Sequence, residues 1–271
     1  MSLVKRHPII TFFVLSYVIT WGFLPFGLFG AFGPLVAALI VIPISQGVAG
    51  LKELGLRMIR WRVRWYWYAA ALGIPLVVAV VAIALNVALG ASWSLATFPP
   101  LSSFLLVFAV RLINPLDGPI AEEPGWRGFA LPHLQAGRSP LLATLILALI
   151  VVVWHSPLVF VTHQLGPSGL LGAFASTFWF AWLFNHTGGS VFMTIVSHAA
   201  EGTFVQVAVA GFAGAVAGVA QLAWIYAVMW LVAAIGVVVL DWKAWHGPAP
   251  TEATTPPQAI PPRGAAPATP A

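Results

Sequence analysis

Six residues combine side-chain types and spacings that suit catalysis: Glu122, Glu123, Arg127, His155, His198 and Glu201. The densest group is the run Glu122-Glu123-Pro124-Gly125-Trp126-Arg127-Gly128-Phe129. On a helix, Glu123 and Arg127 form an i,i+4 pair on one face. In a low-dielectric surround that pairing keeps both groups charged, and breaking it is costly. Glu122 points roughly 100° away around the helix, so it stands outside the pair. A free carboxylate can take a proton from water as a general base. The alternative is structural: both acids brace the helix through Arg partners such as Arg111.

His155 follows a turn expected near Ala136-Gly137-Arg138. Glu122 and His155 lie at nearly equal sequence distances on either side of that turn. At ~1.5 Å rise per residue, an antiparallel hairpin brings them to a similar depth, with Pro124 and Pro132 making the alignment approximate. His198 comes after a second turn, Thr187-Gly188-Gly189-Ser190, and Glu201 shares its helix face three residues on. One carboxylate and two imidazoles on three helices could bind a metal, polarise a water or stabilise an oxyanion. The spacing does not choose among these. A His-Glu-x-x-His zinc motif is absent from the sequence. His163 and His186 fall at loop edges and read as interfacial.

The elements that position these residues are membrane helices. Of the 271 residues, 60% are apolar and 7% are charged, against about 25% charged in soluble domains. Such a chain has too little polar surface to face water. In a bilayer the scarcity of charge is required, since each charge at a helix centre costs roughly 2.5–3.5 kcal/mol. An ionisable residue inside a span is then a candidate functional residue by default. With no cysteine, there is neither a disulfide framework nor a thiolate metal site.

Spans of about 20 apolar residues are expected near 9–27, 31–48, 66–89, 101–121, 140–162, 168–185, 189–209 and 222–240. The expected fold class is therefore all-α, a polytopic membrane bundle of about eight helices. Lys5 and Arg6, the stretch from Lys52 to Arg64, Arg138, and Lys243 with Arg263 all fall on one side of such a bundle. The segments near 28–30, 90–100, 163–167 and 210–221 on the other side contain no Lys or Arg. The positive-inside rule then puts both termini in the cytoplasm and makes the chain a multi-pass protein of the cell (plasma) membrane. Arg57, Arg60, Arg62 and Arg64, interleaved with Trp61, Trp65, Tyr66 and Trp67, read as an interfacial anchor. The net charge of +5 sits in these flanking loops and is not a nucleic-acid footprint. The transmembrane domain is expected over 1–246, and residues 247–271, rich in Pro and Ala, as a disordered cytoplasmic tail. A transporter would show broken helices in both halves; here the polar residues crowd into the fourth to seventh spans.

The polar residues resemble the pattern of the CPBP family, which includes the type II CAAX prenyl endopeptidases and bacterial bacteriocin-processing or immunity proteins. Its Glu-Glu-x-x-x-Arg motif is matched by Glu122-Glu123-Pro124-Gly125-Trp126-Arg127, continuing Gly128-Phe129-Ala130-Leu131-Pro132. Its Phe-x-x-x-His motif is matched by Val151-Val152-Val153-Trp154-His155, with Val151 in place of Phe. Its His-x-x-x-Asn motif is matched by His198-Ala199-Ala200-Glu201-Gly202, with Gly202 in place of Asn. The resemblance covers roughly 100–205. It implies an intramembrane endopeptidase acting on a peptide or membrane-protein substrate, in a chain bacterial in style. Glu122 would be the general base on water, assisted by His155. His198 would stabilise the oxyanion. Glu123 and Arg127 would hold the helix and tune the site, with Glu201 supporting. Were a metal such as Zn²⁺ used, Glu122, His155 and His198 would be its ligands. In the family the Asn is thought to help the second His hold the oxyanion, so Gly202 puts that function in question. The competing implication is a non-catalytic relative acting in immunity or as a membrane partner.

Overall fold

The computed structural model describes residues 3–94, 99–212 and 216–248. The expected tail from residue 249 onward lies outside the described residues. The described chain is helical: α1 (Leu3–Arg6), α2 (Pro8–Trp21), α3 (Gly33–Met58), α4 (Trp65–Ala88), α5 (Leu101–Ile113), α6 (Gly118–Gly125), α7 (Leu131–Gln135), α8 (Pro140–Phe160), α9 (Pro167–His186), α10 (Val191–Ala210), α11 (Val216–Leu240) and α12 (Trp242–His246).

Among the described residues, six segments are long and apolar enough to cross a bilayer: Pro8–Phe26, Gly33–Met58, Trp65–Ala88, Leu101–Gln135, Pro140–Phe160 and Ala217–Leu240. They correspond to six of the eight expected spans. The other two correspond to α9 and α10, each 20 residues long. Ser, Thr, Asn, His and Glu residues lower the hydropathy of those two helices, which also carry part of the polar interior.

The exterior is apolar, and the mostly apolar core also holds polar residues. Exposed side chains include Leu76, Val77, Val80, Leu105, Leu106, Leu149 and Val153, whereas Ser16, Thr20, Thr144, Glu122, Glu123, Arg127 and Ser197 are buried. A lipid-facing exterior needs no polar atoms, while interior polar groups hold helices together by hydrogen bonds. Three such bonds tie α2 to α8: Tyr17 Oη donates to the Ile150 carbonyl (2.6 Å), Trp21 Nε1 to the Trp154 carbonyl (3.1 Å), and Trp154 Nε1 to Thr20 Oγ1 (2.9 Å).

The fourth expected span, 101–121, is not one continuous helix. It breaks at Asn114–Asp117, where Asn114 precedes a proline and adopts an extended conformation (φ −78°, ψ 111°), as the pre-proline clash favours. The chain re-enters helix at Asp117, whose carboxylate accepts from the Gly118 N–H at 2.8 Å as an N-cap. Residues Trp126–Ala130 form a π-helical turn between α6 and α7. Pro124 and Pro132 flank this turn, and each lacks the N–H that would continue the α-helical ladder. The expected turn at 136–138 is present, with Gly137 at φ +86°, and Ser139 caps α8.

Candidate active site

The motif run lies on α6 and the π turn, buried against neighbouring helices. Gly125 is required there: a Cβ at that position would come within 2.5 Å of the Pro34 carbonyl oxygen of α3. The expected pair forms, with Arg127 Nη1 donating to Glu123 Oε1 at 2.9 Å. The same oxygen receives His198 Nδ1 at 2.8 Å. Glu123 therefore joins Arg127 of its own helix to His198 of α10. An ionised carboxylate only accepts, so the shared proton sits on Nδ1 and Nε2 is left for other partners. Phe180 of α9 walls this group: its ring stacks on His198 (5.2 Å between centroids, 27°) and lies 5.0 Å from the Arg127 guanidinium carbon.

Glu122 stands outside that chain of bonds, as its helical position requires. It is 6% exposed and faces a cavity of about 520 Å³. His155, His198, Arg111, Asp117, Gly118, Arg127 and Glu201 line the same cavity. Gly118 brings Glu122 and His198 close together. A Cβ on Gly118 would sit 3.0 Å from His198 Nε2 and 3.1 Å from Glu122 Oε1, so the imidazole and the carboxylate border one small space.

His155 lies on α8. Its Nδ1 is hydrogen-bonded to the Val151 carbonyl one turn earlier, at 2.9 Å. A carbonyl accepts only, so Nδ1 carries the proton and Nε2 is the ring's acceptor. Phe29 stacks on the ring at 6.1 Å and Trp154 meets it edge-on at 4.7 Å.

Glu201 also borders the cavity and accepts from Tyr226 Oη of α11 at 3.2 Å. Arg111 does not brace either acid of the motif. Its Nη1 lies 3.3 Å from the Asp117 carboxylate.

The turn that launches α10 is also fixed. Gly188 and Gly189 adopt φ +63° and +78°. Arg60 Nη1 donates to the Gly188 carbonyl at 2.8 Å, and Ser190 Oγ donates to the Arg60 carbonyl at 2.7 Å. Part of the basic stretch before α4 thereby anchors the helix that carries His198.

Among the described residues, no three His, Asp or Glu side chains are disposed to hold a metal ion. Glu122, His155 and His198 share a cavity without forming a ligand cluster. His198 Nδ1 and His155 Nδ1 are bonded to Glu123 and Val151, which leaves both Nε2 atoms for other partners. As they are placed among the described residues, Glu122, His155 and His198 do not close a three-ligand set.

Gly118, Phe180 and Tyr226 were not legible as site residues. Each gains its place through a contact between helices distant in sequence, and none stands out by type.

A multi-pass helical membrane protein with acid, imidazole and guanidinium groups around a buried cavity is the class that this fold and site define. Residues 101–204 match the family model described as type II CAAX prenyl endopeptidase Rce1-like. The matched span contains Glu122, Glu123, Arg127, His155 and His198, and the family it is similar to is generally one of proteases. No curated protein matches the chain.

Proposed function

We propose that the protein is an intramembrane endopeptidase that cleaves a peptide or membrane-protein segment by direct attack of water. The observation that carries this reading is that Glu122 Oε1 and His198 Nε2 both border the space beside Gly118, in the cavity that His155 also lines. Hydrolysis needs a base for water and a positive or donating group for the carbonyl oxygen. Both groups border that one space.

In this mechanism Glu122 takes a proton from water as the water oxygen bonds to the scissile carbonyl carbon. The carbonyl π electrons move onto its oxygen. His198, protonated on both nitrogens, donates from Nε2 to that oxyanion while Glu123 accepts from Nδ1. Collapse breaks the C–N bond, and the proton held by Glu122 passes to the leaving nitrogen. His155, with Nδ1–H fixed on Val151, offers Nε2 as an acceptor that orients the water. The products are one acid and one amine, so atoms and charge balance. Glu123 and Arg127 position His198 and take no proton. The orientation is that of the positive-inside reading, with both termini cytoplasmic in the plasma membrane.

The test is cleavage of a mixture of internally quenched apolar peptides by the full chain in liposomes, with products identified by mass spectrometry. Peptide products with new amino and carboxyl ends support the reading. An intact mixture after incubation with folded protein rejects it in favour of a non-catalytic membrane partner.

A further inference from the structure

Residue 202 has no side chain, and the space a side chain would occupy is already filled. A Cβ on Gly202 would lie 2.6 Å from Arg111 Nη1 and 2.9 Å from its guanidinium carbon. Gly202 follows His198 by one helical turn on the same face of α10. Arg111 comes from α5, on the far side of the break at Asn114–Asp117. It therefore brings a guanidinium into the cavity beside His198, against a backbone that only glycine leaves open.

Asp117 holds the guanidinium, and Glu201 is a second carboxylate within its electrostatic reach in the same cavity. Arg111 Nη1 lies 3.3 Å from Asp117, and Asp117 also caps the helix that carries Glu122. Arg has five N–H donors in a planar fork, so Asp117 occupies part of the fork and leaves donors for another oxygen. The side chain keeps 24% exposure and lines the cavity with Glu122, His155 and His198. A guanidinium carries its proton at every working pH, whereas His198 Nε2 donates only when the ring is doubly protonated.

We infer that Arg111 is a catalytic residue, donating a hydrogen bond to the oxyanion of the tetrahedral intermediate alongside His198. The inference rests on the endopeptidase reading. It adds no atom to the reaction: the oxyanion forms as water attacks, is held by Arg111 and His198, and is discharged when the C–N bond breaks.

Two variants test it in the full chain, on the internally quenched peptide that wild type cleaves fastest. Arg111→Ala removes the donor. Gly202→Ala leaves Arg111 in the chain, but its methyl displaces the flexible end of the guanidinium. We expect kcat to fall about 10²-fold in Arg111→Ala with KM within about twofold, the loss seen when one oxyanion donor is removed. In Gly202→Ala we expect a fall of at least about tenfold with an unchanged melting temperature. The double variant is expected to be no slower than Arg111→Ala, because both changes remove one interaction. Wild-type kcat in both single variants, or losses that multiply in the double variant, overturns the inference. If Arg111→Ala fails to fold, Gly202→Ala and its KM-against-kcat split decide alone. Cleavage by wild type that Glu122→Gln abolishes separates failure of this inference from failure of the protease reading. No cleavage by wild type overturns both.

Discussion

His198 Nδ1 lies 2.8 Å from Glu123 Oε1, an oxygen that also accepts from Arg127 at 2.9 Å. This bond joins the motif helix to α10 and sets which imidazole nitrogen faces the cavity. Glu123→Gln replaces a carboxylate that accepts twice with an amide that brings its own N–H groups. It leaves the Arg127 charge buried without its counter-charge, a change that costs about 3–5 kcal/mol. A marked drop in melting temperature in detergent, together with loss of turnover, is the expected outcome. An unchanged melting temperature would show that the pair does not hold the helices.

Gly118 is where Glu122 and His198 approach each other. A methyl at 3.0 Å from His198 Nε2 and 3.1 Å from Glu122 Oε1 is tighter than ordinary van der Waals contact, so one group must yield. Displacements near 1 Å cost on the order of 10²-fold in rate. Gly118→Ala should therefore lose between about ten- and 10²-fold in kcat while its melting temperature changes little. Kinetics and a thermal melt on the same preparation check this.

His155 makes its hydrogen bond within its own helical turn, so removing the ring breaks no hydrogen bond between helices. His155→Ala should lower kcat by about 10²-fold, the order of loss when a reacting water is misplaced by about 1 Å. Expression and monodispersity on size exclusion should stay at wild-type levels. A variant with full turnover would remove His155 from the mechanism.

Gly202 can be tested in the other direction. Gly202→Asn alone pushes a side chain into Arg111 and should impair turnover. Combined with Arg111→Ala, the same Asn has room and supplies an amide donor one turn from His198. The double variant should turn over at least about tenfold faster than Arg111→Ala alone, given the 10²–10³ worth of one such donor. A double variant no faster than Arg111→Ala would mean that an amide cannot stand in for the guanidinium there.

The helical membrane character of the chain follows from its composition, and among the described residues six of the expected spans match segments long and apolar enough to cross a bilayer. The Glu123–Arg127 bond, the separation of Glu122 from it, and the turn before Arg138 were also legible, because each depends on local helical geometry. The break at Asn114–Asp117 was legible in principle from Asn114-Pro115, yet hydropathy alone runs the span through to 121. The π turn at Trp126–Ala130 has its cause in two prolines, but their effect on helix width depends on packing. The bond from His198 to Glu123, the choice of Asp117 as Arg111's partner, and the filling of the space beside Gly202 were not legible. Each joins helices whose relative rotation is set by the whole bundle and by no periodicity in the chain.

The central claim is that Glu122 activates the water that cleaves the peptide bond. The most direct measurement is the single-turnover cleavage rate of wild type and Glu122→Gln on one peptide, each confirmed folded by thermal melt. Gln keeps the shape and loses the base, so the account predicts at least a 10²-fold slower rate, the lower end for general-base catalysis, at an unchanged melting temperature. Equal rates would contradict it and move the base to another group in the cavity.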